Sequence, residues 1–277
     1  MVLDLHEAMP EFFASRFPGA ANPAARWLLQ ATERASIAGA SQAITVNDAL
    51  RARLVGLGVA ADRISVVPNS PSLARFDRAA HPNRPFMADG TLRLIFAGGL
   101  TPTYEVEVAV RAVAALRDRR PDLPSHLDIY GRGDSEPELA RQVMELGLED
   151  RVTLHGRIPI EDMPAAIARS DVGLATTRLD AFTAASLSTK IFEYAAMGKP
   201  VVAARLPLVE GAFPADAVRR YAPGNAESLA DELLALVDDP AARDAAVVAA
   251  HAIVAARSWE HDAPAYLELL ERVARDR

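Results

Sequence analysis

Lys190 and Glu193 stand three residues apart in the stretch Ser186-Leu187-Ser188-Thr189-Lys190-Ile191-Phe192-Glu193-Tyr194-Ala195-Ala196-Met197-Gly198-Lys199-Pro200-Val201-Val202. The stretch reads as a loop, a short helix and a strand. Gly198 is placed to end the helix, Pro200 forbids its continuation, and Val201-Val202-Ala203 starts a strand. A spacing of three puts the lysine and the carboxylate on one helix face near the N-terminus. That end of a helix presents open N–H groups and partial positive charge, so with a lysine beside it an anion such as a diphosphate is a fitting ligand. A carboxylate one turn further in can accept hydrogen bonds from a sugar's hydroxyls. Taken as a pair alone, the same two residues would form a solvated ion pair worth a few tenths of a kcal/mol. The surroundings of the segment decide between these readings.

The chain has 277 residues, enough for one large or two modest domains, and half of them are hydrophobic. A net charge of −7 argues against a general nucleic-acid binder, so any diphosphate must be held by local dipoles and a few cations. The absence of cysteine excludes disulfides and thiolate metal sites. Six scattered histidines show no metal-ligand spacing. No run is long enough to span a membrane, and the start Met1-Val2-Leu3-Asp4-Leu5-His6 lacks the pattern of a signal peptide. A cytoplasmic protein is expected, with the inner-membrane surface as the peripheral alternative. Abundant alanine and arginine fit a GC-rich bacterial genome.

Strand and helix patterns alternate along the chain. Val2–Leu5 predicts a strand and residues 23–39 a helix with Trp27, Leu28, Ala31 and Ala35 in phase. Ala43–Val46 is a strand, Asn47 an N-cap for a helix over Asp48–Leu57, Gly58 its close, and Ile64–Val67 another strand. Residues 71–90, rich in Ser, Pro, Asn, Arg and Gly, read as a linker between domains. Beyond it come strands at Leu92–Ala97, His126–Tyr130, Val152–His155, Asp171–Ala175 and 217–221. Helices are expected over Val106–Arg119, Glu136–Leu146, Ile160–Arg169, Ala226–Val237 and 240–277 with a break near Ser258. Such alternation predicts parallel βαβ units, whose ligands sit beyond the carboxyl ends of the strands. Gly98-Gly99, Gly131-Arg132-Gly133, Gly156-Arg157 and Ser186–Lys190 all fall there, which predicts a phosphate-bearing ligand in one cleft. None of them makes a complete Gly-x-Gly-x-x-Gly or Walker A motif.

These residues, in this order, resemble the retaining glycosyltransferases of family 4, which have the GT-B fold. Ile64–Asn69 is similar to that family's V-x-P-N strand end and Phe96-Ala97-Gly98-Gly99 to the loop opening its nucleotide domain. Tyr130–Gly133 and Val152–Gly156 match two further strand ends, and Asp171-Val172-Gly173 continues the series. Lys190-Ile191-Phe192-Glu193-Tyr194, running on to Gly198-Lys199-Pro200-Val201-Val202, is the most specific match. Tyr221–Leu236 resembles the closing segment, and Ser258-Trp259-Glu260 begins what looks like the last helix.

The resemblance implies an α/β, GT-B-like chain with one complete Rossmann-like C-terminal domain and a partial N-terminal Rossmann-like domain. The expected domains are 1–70, a linker at 71–90, a nucleotide-sugar domain at 91–257 and a helix at 258–277 crossing back to the N-domain. It implies transfer of a sugar from a nucleotide-diphosphate-sugar to an acceptor hydroxyl with retention, without a metal or other cofactor. Glu193 would hold the ribose hydroxyls, and Lys190 with Leu187, Ser188 and Thr189 would meet the diphosphate. Gly98 and Gly99 would admit the phosphates, Arg157 and Ile158 would border the base, and His6 would stand near the transferred sugar as the catalytic residue.

This sequence also departs from the family pattern. Ala185 stands where a Glu-x7-Glu motif has its first carboxylate, with Asp180 nearby but out of register. The loop Leu100-Thr101-Pro102-Thr103-Tyr104-Glu105 has no cation where the family has two, and Glu105 would repel phosphate. Residues 1–70 match only the last third of the family's N-domain, so a sheet of few strands with an exposed edge is expected: a truncated gene model, a degenerate protein, or a domain completed by a partner chain or by self-association. The alternative function is therefore a non-catalytic or split-subunit nucleotide-sugar-binding protein. A GT-B epimerase is a weaker third reading. The partners expected are the donor and a saccharide or lipid-linked acceptor, with no nucleic acid.

Overall fold

A computed structural model of the chain describes residues 1–17, 19 and 22–275. Residues 276–277 of the expected closing helix lie outside the described residues. The chain divides into two compact units: Met1–Ser70 with Asp180–Ser186 and Arg257–Arg277, and Pro71–Leu179 with Leu187–Ala256.

The first unit begins with β1 (Val2–Leu5), α1 (Met9–Arg16), α2 (Pro23–Gly39), β2 (Gln42–Thr45), α3 (Asp48–Gly56) and β3 (Ile64–Val66). Its three strands form a parallel sheet in the order β1-β2-β3, Leu3 lying opposite Ala43 and Ala43 opposite Ile64. Ile37, Ala43, Leu54 and Ile64 make its small core. Asn47 caps α3 as expected, its Oδ1 accepting the Leu50 N–H at 2.8 Å. A short helix at α1 was not expected. Pro10 sits in its first turn, where the missing N–H costs nothing, and eight residues are too few to show a period.

The second unit opens with residues 71–90, which form no strand or helix. They are followed by β4 (Leu92–Ala97), α4 (Val106–Arg119), β5 (Ser125–Tyr130), α5 (Glu136–Glu145), β6 (Val152–Gly156), α6 (Met163–Arg169), β7 (Val172–Ala175), α7 (Thr189–Ala196), β8 (Val201–Ala204), α8 (Pro207–Ala212), β9 (Arg219–Tyr221), α9 (Ala226–Asp238) and α10 (Pro240–Ala255). A last helix, α11 (Trp259–Arg275), is counted with the first unit. The second sheet has six parallel strands in the order β6-β5-β4-β7-β8-β9. Strands β4, β7 and β8 are near-continuous apolar runs, as a parallel sheet covered on both faces requires. Leu92, Leu94, Ile95 and Phe96 of β4 are all fully buried.

The expected helix over Ile160–Arg169 begins instead as a 3-10 turn, Ile160–Asp162, before α6. Pro164 cannot donate a backbone hydrogen bond and is tolerated only in the first turn, so the regular helix starts just before it. Gly198 ends α7 as expected. Its φ of +66° is the left-handed cap conformation, and the Lys199 N–H returns to the Tyr194 carbonyl at 2.9 Å.

Candidate functional site

The strand order of the second sheet reverses at β4: β5 and β6 extend to one side, β7, β8 and β9 to the other. The carboxyl ends of β4 and β7 meet at this switch point, the place where an open α/β sheet generally has room for a ligand. The loops there are bound tightly together. The Gly98 N–H donates to the Tyr130 carbonyl at 2.8 Å, Leu100 to Arg132 at 3.0 Å, and Gly131 to Gly156 at 2.8 Å. A Cβ at Gly131 would overlap the Gly98 carbonyl oxygen, so only glycine lets these two loops meet.

α7 delivers the lysine and the carboxylate. Tyr194, fully buried in this helix, accepts the Ala97 N–H at 3.0 Å and so fixes α7 to the end of β4. Ser188 precedes the helix without a side-chain cap, leaving the first-turn amides of α7 uncovered by any side chain. Lys190 lies buried over Gly98, its last carbons filling the space a Cβ would take there. Its Nζ stands 3.8 Å from the centroid of the Tyr104 ring and 5.2 Å from that of Phe96. Among the described residues no hydrogen bond or ion pair reaches this ammonium. Burial lowers its pKa to about 8, partly offset by the nearby Glu193 charge.

Glu193 is half-buried, and none of its carboxylate oxygens is hydrogen-bonded among the described residues. Burial raises its pKa, against the opposing pull of Lys190 and Arg75. The solvated ion pair is therefore not what forms. The two groups lie a turn apart, both desolvated and neither hydrogen-bonded among the described residues, an arrangement that is costly until a partner is supplied.

Leu187 packs half-buried against the core, Ser188 is half-buried and Thr189 exposed. Gly99 lies against the Tyr104 ring. Arg157 and Ile158 follow the end of β6, the edge strand, with Arg157 exposed and Ile158 half-buried. The Arg132 guanidinium stands beside Gly156 just before them. His6 belongs to the first unit, where its Nε2 lies 3.1 Å from Asp4 Oδ2. With Asn69, Trp259 and Tyr266 these two line a cavity of about 220 Å³ in that unit.

Two expectations about carboxylates take a definite form. Asp180 braces its own turn: Oδ1 accepts the N–H groups of Phe182 and Thr183 at 2.9 Å and Oδ2 the Ser15 hydroxyl at 2.7 Å. It is engaged in the first unit and does not replace the carboxylate missing at Ala185, whose carbonyl accepts from Asn47 Nδ2 at 3.0 Å. Glu105 sits in the left-handed region, φ +43°, ahead of α4. Burial and Glu107 raise its pKa, while the Gly224 N–H, Arg178 and Arg111 draw it down. The net shift is upward, and its Oε2 is buried with no hydrogen-bond partner among the described residues.

Sequence reasoning does not single out Tyr104 and Arg75 as site residues. Tyr104 is visible there only as part of a loop lacking cations, and Arg75 only as part of a linker.

Among known proteins, the family model described as "Glycosyl transferases group 1" matches residues 91–239, more than half of the chain. D-inositol 3-phosphate glycosyltransferase of Pseudarthrobacter chlorophenolicus is 31% identical over 218 residues, covering 76% of this chain and 51% of the relative. The chain thus spans about half the length of the curated relatives it matches. Anabaena Alr3699/HepE, solved in complex with UDP, superposes with a TM-score of 0.77 at 19% identity over 98% of this chain and 72% of that one. Sucrose-phosphate synthase from Thermosynechococcus elongatus gives 0.78 at 20% identity over 100% and 68%. The α/β, GT-B-like class expected from the sequence is thereby met, and the chain belongs to the glycosyl transferases group 1 family.

Proposed function

We propose that this chain carries the donor side of a glycosyltransferase that moves a sugar from a nucleotide-diphosphate-sugar to an acceptor hydroxyl with retention. The observation that carries the reading is the pair of unbonded charges on α7, Lys190 and Glu193, at the switch point of the second sheet. Glu193 accepts from the two ribose hydroxyls. Lys190 and the uncapped amides of Ser188–Lys190 take the diphosphate. Gly98 and Gly99 give the phosphates close access to backbone, and Arg157 with the Ile158 backbone borders the base. The acceptor oxygen bonds to the anomeric carbon on the face from which the diphosphate departs, its hydroxyl proton passes to the departing phosphate oxygen as that C–O bond breaks, and the positive end of α7 with Lys190 steadies the charge gathering on the phosphate. His6 orients the sugar. The reading assigns no step to a metal. Family membership and a UDP complex of a protein with the same fold support it.

The second reading, a nucleotide-sugar-binding protein without transferase activity, is favoured by one feature: segment 100–105 contributes no cation beside the phosphates. Thermal shift with UDP-, GDP- and ADP-sugars tests binding, and release of nucleoside diphosphate in the presence of candidate acceptors tests transfer. Stabilisation by one nucleotide series together with turnover supports the transferase. Stabilisation without turnover under any acceptor favours the second reading, and no stabilisation by any of them overturns both.

A further inference from the structure

We propose that Tyr104 is a positioning residue whose ring face seats the Lys190 ammonium above Gly98 and presents its charge to the diphosphate. The ligand named here rests on the proposed function; the seat itself does not. The ammonium lies in a notch with two aromatic walls, Tyr104 at 3.8 Å and Phe96 at 5.2 Å, whose ring centroids are 6.5 Å apart at 57°. A cation over a ring face is held by the ring's quadrupole, and a desolvated one is held more strongly. Among the described residues no carboxylate bonds this ammonium, and Gly98 offers it space rather than a partner.

The seat is built on fixed parts. The Tyr104 N–H donates to the Thr101 carbonyl at 3.0 Å, and its own carbonyl accepts the Thr176 hydroxyl at 2.6 Å, just past β7. Lys190 arrives on α7, tied to β4 through Tyr194. Ring and cation thus reach each other from the two strands that flank the switch point. The charged group acting on Lys190 is Glu193, on which Arg75 acts in turn. The cation-free loop 100–105 thereby gains a role, since it supplies the surface on which the cation of α7 rests.

The test keeps ring volume and varies the quadrupole. The full chain is compared as wild type, as Tyr104→Phe, and as Tyr104→Phe carrying two or three ring fluorines. The lysine side-chain NMR titration is followed in each, with the Lys190 signal assigned by its loss in Lys190→Met. The seat requires wild type and Tyr104→Phe to titrate alike and the fluorinated rings to lower the Lys190 midpoint stepwise, by about half a pH unit in all. UDP affinity measured at pH 9, above the wild-type midpoint, should fall about threefold along the same series. A midpoint that does not move with fluorination overturns the seat whatever UDP does. A midpoint that moves while no variant binds UDP leaves the seat standing and removes the donor-site reading. Circular dichroism and melting temperature check each variant; should the fluorinated chains fail to fold, Tyr104→Trp, with a stronger quadrupole, must raise the midpoint or the proposal falls.

Discussion

At the scale of single residues, Glu193 and Lys190 make opposite demands that a ligand can satisfy together. A carboxylate taken from water without a hydrogen bond is costly, and two ribose hydroxyls would relieve that cost. Glu193→Ala should therefore weaken UDP binding at least tenfold, about 1.4 kcal/mol or more, as measured by calorimetry; unchanged affinity would remove the ribose role. Lys190 adds a pH dependence whose sign can be worked out. The free protein holds this lysine protonated only below about pH 8, and a bound diphosphate favours the protonated form. Binding must then take up a proton above that pH, so affinity should stay level up to about 8 and decline beyond it. Lys190→Met should bind weakly at every pH with no such decline, and a wild-type profile flat to pH 9.5 would contradict the placement. His6 is separable from both, because it belongs to the first unit and the residues proposed to bind the nucleotide belong to the second. His6→Ala should lower kcat about tenfold or more while leaving the dissociation constant for UDP within about twofold.

Elements matter here through how they are anchored, and Asp171 shows it. This buried carboxylate, just ahead of β7, accepts the Arg93 N–H of the β4 strand at 2.8 Å and the Met87 N–H at 2.9 Å. Met87 holds a left-handed φ of +50°, which a non-glycine residue keeps only when its surroundings impose it. Hydrogen bonds to a charged group contribute about 1.5–3 kcal/mol each, so Asp171→Ala should cost about 3 kcal/mol or more in denaturant unfolding. UDP affinity of the folded fraction should hardly change, since the anchor lies at the other end of the strands from the glycine loops. The resemblance marks Asp171-Val172-Gly173 only as one of a series of matching segments; what the carboxylate does depends on contacts some eighty residues away and has no spacing to betray it. Lys199 is similar. It sits in the most telling segment of the sequence, yet its ammonium is spent on the carbonyls of Ala168 at 2.9 Å and Ser170 at 2.6 Å. What could be read in advance was what local chemistry dictates: Asn47 capping α3, Gly198 closing α7, and the apolar run of β4. α8 escaped notice because it is six residues opened by a proline, too short for a period to emerge. Tyr104 escaped because a ring beneath a lysine is a tertiary fact, written at positions 104 and 190 with nothing linking them in the letters between.

The whole molecule sets the last prediction, because the residues proposed for the nucleotide all belong to one of its two units. Gly98, Gly99, Arg157, Ile158, Leu187, Ser188, Thr189, Lys190 and Glu193 all fall in the second unit, which also has the larger core, while the first has three strands and a small apolar cluster. Amide hydrogen exchange reports local opening, and a ligand that binds the folded form slows it where the ligand's contacts stand. At a UDP concentration 100 times its dissociation constant the gain is about 2.7 kcal/mol, which slows exchange about a hundredfold wherever exchange needs the binding site to open. Protection should therefore appear in peptides spanning residues 97–100, 131–133 and 187–194. Peptides of β1, β2 and α2 have no residue assigned to the nucleotide and need not change. The uncapped start of α7 is the most diagnostic stretch, since its amides are free to exchange until an anion occupies them. If UDP protects peptides within residues 1–70 and leaves 187–194 exchanging as before, the nucleotide is bound by the first unit and the assignment of α7 as its cradle fails.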